Sequence, residues 1–124
     1  MRPEAKIWQR IKDKLPWKQV CRIENIAGVG IPDIYGHHDG RANWMELKHV
    51  YKAGKITPED IKKALRPSQV IWHRKHREAG GRVFVLASNL CGDHALFISG
   101  EEPIEILYCK DRLDYGLLGE ALIK

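Results

Sequence analysis

The chain has 124 residues, 44% hydrophobic and 30% charged, with a formal net charge of +5. That length supplies one core and excludes a multidomain machine; no run of about 18 apolar residues offers a membrane span. Met1-Arg2-Pro3-Glu4 lacks the apolar segment of a signal peptide, so a cytoplasmic protein with a polyanionic partner is expected.

In chain order, residues 3 to 15 read as a helix, opened by Pro3 and stopped by Pro16, with Ile7, Trp8, Ile11 and Leu15 as its buried stripe. Glu4 lies in its first turn, where an acid complements the helix dipole. Residues 17 to 26 read as the first strand, with Arg22 and Glu24 on one face, either as an ion pair or beside a site. Cys21, Cys91 and Cys109 are odd in number and not in Cys-X-X-Cys pairs, so reduced core cysteines are expected.

Two strands of one hairpin follow. Gly30-Ile31-Pro32-Asp33-Ile34-Tyr35-Gly36 forms the first and Trp44-Met45-Glu46-Leu47-Lys48 the second, with Asp39-Gly40 supplying the turn and His37-His38 a solvated tip. Alternation puts Glu46 and Lys48 on one face and Met45 and Leu47 on the other. Thr57-Pro58-Glu59-Asp60 starts a short helix over 58 to 65, behind a loop whose Lys52 and Lys55 line a DNA path or a solvated surface. The main helix runs from Arg66-Pro67-Ser68-Gln69 to Ala79, stopped by Gly80-Gly81, with Trp72, His73 and His76 on the side of Gln69. Residues 82 to 87 are a central strand, 95 to 98 a further strand, and 104 to 109 and 113 to 123 an apolar tail whose second part is helical.

A carboxylate from each hairpin strand beside an ammonium is what metal-assisted phosphodiester hydrolysis needs: hard oxygen ligands and a positive group near the developing charge. Gly30-Ile31-Pro32-Asp33 followed by Glu46-Leu47-Lys48 resembles the bipartite signature of the PD-(D/E)XK nuclease superfamily. Within it, the chain is similar to the small VRR-NUC nucleases, commonly phage-encoded and related to Holliday junction resolvases. The resemblance covers roughly residues 4 to 90.

It implies a single α/β nuclease domain over residues 1–124, a restriction endonuclease-like core with a mixed central sheet flanked by helices. Residues 1–90 carry the motifs and 91–124 complete the core or form a dimer surface. Asp33 and Glu46, with the carbonyl of Leu47, are expected to hold Mg2+ or Mn2+. Lys48 assists the attacking water, Gln69 stands near it, and Glu4 or Glu24 completes the site. Arg22, Lys52, Lys55, Arg66, His73 and His76 are the expected DNA contacts, with surface packing the alternative for the histidines. The implied activity is a DNA endonuclease selective for branched DNA and acting as a homodimer. Its rivals are a restriction-like or nicking enzyme of the same fold and a non-catalytic nucleic-acid-binding module.

Overall fold

A computed structural model describes residues 2–23, 30–98, 103–106 and 113–123. The architecture is α/β: helix α1 (Pro3–Ile11), strands β1 (Lys18–Arg22), β2 (Ile34–His38) and β3 (Arg41–His49), helices α2 (Pro58–Ala64) and α3 (Pro67–Glu78), strands β4 (Arg82–Ser88), β5 (His94–Ile98) and β6 (Pro103–Ile106), and helix α4 (Tyr115–Ile123). Among the described residues, six strands form one sheet in sequence order, and only β3 and β4 pair in parallel. A parallel neighbour demands a crossover, and α2 and α3 are that crossover.

The hairpin is set by its turn. Asp39 and Gly40 have φ of 48° and 74°, the paired positive values of a two-residue turn whose twist matches the strands, and His38 pairs with Arg41 across it. β4 is buried from Val83 to Ser88, as a strand covered on both faces must be. On one face, Ile34, Met45, Leu47, Phe84, Leu86 and Leu96 pack under Ile7 and Ile11 of α1 and under Leu118, Ala121 and Leu122 of α4. On the other, Val85, Ala87, Ala95 and Phe97 pack with Ile56 and Ile61. The C-terminal helix therefore completes the core. Among the described residues, no helix is long and apolar enough to cross a membrane.

Three expectations need correction. α1 ends at Ile11 rather than Leu15, because Lys14 N bonds back to Ile11 O in a tight turn and the chain redirects Trp17 into the core, where its indole N–H donates to Leu122 O at 3.2 Å. β1 starts at Lys18 rather than Trp17 and carries an irregularity between Lys18 and Cys21, where Gln19 takes a φ of 53°; residues 24–26 of the expected strand lie outside the described residues. Cys21 and Cys91 are exposed free thiols rather than core residues, since one lies on an edge strand and the other in a turn; Cys109 lies outside the described residues.

Candidate active site

The alternation of β3 divides its side chains between the two layers. Met45 and Leu47 enter the core under α1 and α4. Glu46 therefore points the other way, toward α3, and is only 4% exposed. Asp33 immediately precedes β2, and its Oδ2 accepts the backbone N–H of Leu47 at 2.8 Å, which fixes one carboxylate against the strand that carries the other. Gly30 brings this segment onto α3. Its φ is +84°, and a Cβ there would lie 2.4 Å from Ser68 O, so only glycine allows the backbone to touch the first turn of that helix.

These elements enclose an open cleft of about 440 Å³. Asp33, Glu46, Leu47 and Lys48 form its floor, Arg2, Glu4 and Ala5 of the α1 end form one wall, and Arg66 and Gln69 of the α3 end form another. Arg22 and Ile31 complete the lining. Gln69 is buried, and its Oε1 accepts the N–H of Arg66 at 2.9 Å, capping α3 from inside.

Both helices present their N-termini to this cleft, and both carry arginine at the N-cap and proline next: Arg2-Pro3 and Arg66-Pro67. Guanidinium accepts no hydrogen bond and sits at the positive end of the helix dipole, so neither residue serves its helix as Ser, Thr, Asp or Asn would. Together with Arg22 and Lys48 they make a cationic rim around three carboxylates. Such a mixture suits an anion that approaches through a cation.

Glu46 carries the electrostatic signature of the site. Its Oε1 is buried and without a hydrogen-bond partner, and its Oε2 lies 4.0 Å from Lys48 Nζ. Burial first, and then the adjacent Asp33 charge, push its carboxyl up to about 9, against the pull of Lys48 and Arg66. At neutral pH it holds a proton unless a cation replaces it. Two hard oxygen donors around one orphaned oxygen fit magnesium or manganese. Among the described residues, no three of His, Cys, Asp and Glu converge on one point, so the remaining ligands would be backbone carbonyl and water, as magnesium usually keeps.

The cleft thus brings together Asp33, Glu46, Leu47, Lys48, Gln69, Glu4, Arg22 and Arg66. Glu24 lies outside the described residues. Lys52 and Lys55 sit in the loop before α2, away from the cleft, and the Lys52 ammonium pairs with Asp60 at 3.0 Å. His73 is corrected as a phosphate contact, because it is 1% exposed between α3 and the sheet. Burial, followed by the charges of Arg77, Lys48 and His76, lowers its imidazole to about 4. His76 packs instead of projecting: it stacks on Trp72 at 5.1 Å and meets Trp44 edge-on at 6.4 Å. Arg2 is the cleft residue that the sequence reading missed, although the repeated Arg-Pro at two helix starts was a usable signal.

No family model and no curated protein matches the sequence. Among solved structures, the chain is similar to the Holliday junction resolvase Hjc of the archaeal hyperthermophile Archaeoglobus fulgidus, at 13% identity and a TM-score of 0.47, with 96% of each chain covered.

Proposed function

We propose that the cleft hydrolyses phosphodiester bonds of DNA with Mg2+ or Mn2+ held by Asp33, Glu46 and the carbonyl of Leu47. The observation that carries this reading is the buried, orphaned Glu46 Oε1 beside the anchored Asp33 carboxylate, in a cleft rimmed by Arg2, Arg22, Lys48 and Arg66. When bound, the cation supplies Lewis-acid polarisation of the scissile phosphate and a more acidic water.

The chain's own residues do the rest. Lys48, held near Glu46, hydrogen-bonds the attacking water or a non-bridging phosphate oxygen and offsets negative charge as it builds. Arg66, at the mouth of α3, and Arg22, whose guanidinium lies 6.0 Å over the Trp8 ring, hold the flanking backbone. Gln69 fixes the start of α3 and thereby the position of Arg66. Glu4 orients water at the open side.

The resemblance of the two half-motifs to the PD-(D/E)XK signature, and of the chain to small VRR-NUC nucleases related to Holliday junction resolvases, directs the substrate proposal to branched DNA. Paired cuts across a branch then require two copies, each bringing its Asp33–Glu46 cleft. The test is cleavage of a labelled four-way junction against a linear duplex of the same sequence, with magnesium and with chelator. Magnesium-dependent cuts near the branch point support the proposal. Equal cutting of both substrates keeps the nuclease and removes branch selectivity, whereas binding without cutting identifies a non-catalytic module.

A further inference from the structure

Tyr35, Trp44 and Trp72 belong to neither of the two buried clusters that hold the fold together, and each is only half-buried. They meet one another beside the cleft. The Tyr35 and Trp44 rings lie 4.8 Å apart, centre to centre, across a registered pair of β2 and β3, and Trp44 meets Trp72 of α3 edge-on at 5.2 Å.

The cluster stands one step along from the site in each element that builds it. Trp44 lies two residues before Glu46 on β3, and Trp72 three residues beyond Gln69 on α3. Each is therefore the next residue on the face that its cleft neighbour uses. Tyr35, two residues beyond Asp33, joins them by pairing with Trp44. Two residues of strand advance roughly 6.7 Å and three of helix roughly 4.5 Å, so the rings begin where the carboxylates end.

The rings are held in place by their neighbours. His76 stacks on Trp72 at 5.1 Å and donates to Ala42 O at 3.4 Å, while the Tyr35 hydroxyl is hydrogen-bonded to His37 Nε2 and the two rings meet edge-on at 5.0 Å. Beyond β2 this face of the sheet is open: Cys21 and Lys18, registered with Tyr35 and His37, are both exposed. Lys75, one turn beyond Trp72, is exposed as well. Fixed, half-exposed aromatic rings with a lysine at either margin suit a planar ring tethered to phosphates, which is a nucleobase. A base inside a duplex already has both faces stacked, so an unpaired base is the one that fits.

We propose that Tyr35, Trp44 and Trp72 form a stacking platform for an unpaired nucleobase, one or two nucleotides from the phosphate over Asp33 and Glu46. The place of that phosphate rests on the nuclease reading; the stacking chemistry does not. The count follows because two residues of strand cover about twice the 3.4 Å step of a stacked nucleic-acid strand. A platform so placed selects DNA whose strands separate next to the cut, as they do at a branch.

The experiment measures binding of metal-free full-length protein, in chelator, to a forked DNA carrying the fluorescent adenine analogue 2-aminopurine at the first or the second unpaired position. The same fork with an abasic residue there, and a fully paired duplex with the same label, are run beside it, each also against Trp72→Leu and Trp72→Phe. Binding is expected to quench the label in the fork and not in the duplex. The abasic fork should bind the parent chain about 5- to 100-fold more weakly, the range of one base–aromatic stack. Trp72→Leu should bind intact and abasic forks alike without quenching, and Trp72→Phe should restore the difference. The abasic comparison uses the parent chain, so it decides even where a Trp72 variant fails to fold.

A label that stays bright at both positions, an abasic fork bound as tightly as the intact one, or a chain that binds none of these DNAs overturns the platform. Equal quenching in the duplex overturns the selectivity for unpaired bases, and a Trp72→Leu chain that still discriminates the two forks overturns the assignment to Trp72. The two proposals fail separately. A chain that quenches the label yet never cuts in magnesium loses the nuclease reading alone, and one that cuts while the label stays bright loses the platform alone.

Discussion

Asp33 Oδ2 accepts the N–H of Leu47 at 2.8 Å, so the segment before β2 is tied to the middle of β3 and two carboxylates are forced into one buried neighbourhood. Asp33→Asn keeps a carbonyl oxygen for Leu47 and relieves repulsion on Glu46. The expected outcome is a fall in magnesium-dependent cleavage by roughly two to three orders of magnitude, the scale of losing one preorganised electrostatic group. The thermal midpoint in chelator should be unchanged or higher. A variant that still cuts at the parent rate contradicts the assignment of Asp33.

The Glu46 carboxyl makes the metal-free protein sensitive to alkali. Its ordinary value is 4.5 and its folded value about 9, so the folded state binds the proton more tightly over that window. The associated stability is fully present below 4.5 and is lost as pH rises through about 9, with a slope of up to about 1.4 kcal/mol per pH unit. Thermal midpoints in chelator should decline from pH 6 to about pH 9 and level off above it, and Glu46→Gln should flatten the curve. Metal should restore stability at the alkaline end and release about one proton on binding near neutrality, read by calorimetry in buffers of different ionisation enthalpy.

His73 gives the opposite sign at the acid end. Its imidazole is lowered from 6.5 to about 4 by burial and by neighbouring cations, so the unfolded chain takes up the proton first. That stability is present above 6.5 and lost as pH falls through about 4, amounting to up to about 3 kcal/mol. An NMR titration should place the His73 midpoint near 4. A midpoint near 6.5 would show a solvated ring and reinstate it as a surface contact.

Much of the arrangement was legible in the sequence because it rests on local chemistry. Asp39-Gly40 specified the hairpin turn, Thr57 and Asp60 form the capping box that begins α2, and the alternation around Glu46 fixed which side chains share a face. The helix period also placed Trp72, His73 and His76 on the side of Gln69. Depth was the quantity that failed. Gln69 and His73 are polar letters at fully buried positions, and hydropathy reads such positions as surface. Arg2 was missed for a different reason: the repeated Arg-Pro marks two similar helix starts, but only the convergence of α1 and α3 on one cleft makes Arg2 a neighbour of Arg66.

Gly30 joins fold to site. Gly30→Ala would place a methyl 2.4 Å from Ser68 O and 2.7 Å from its carbonyl carbon, in a backbone conformation that L residues avoid. A destabilisation of about 1–3 kcal/mol is expected. Because relief requires α3 to move away from the Asp33 segment, cleavage should fall further than the folded fraction accounts for. Chemical denaturation and single-turnover cleavage on the same sample separate the two effects.

The proposed nuclease activity needs a divalent cation in this cleft and the charge of Lys48 beside it. The direct measurement is single-turnover cleavage of a labelled four-way junction by the parent chain and by Lys48→Ala, in magnesium and in chelator, with metal affinity measured on both proteins. The expected result is cleavage by the parent chain in magnesium alone, a loss of at least about 100-fold in Lys48→Ala, and metal affinity retained in that variant. Cleavage that persists in chelator, or that survives Lys48→Ala at the parent rate, would contradict it.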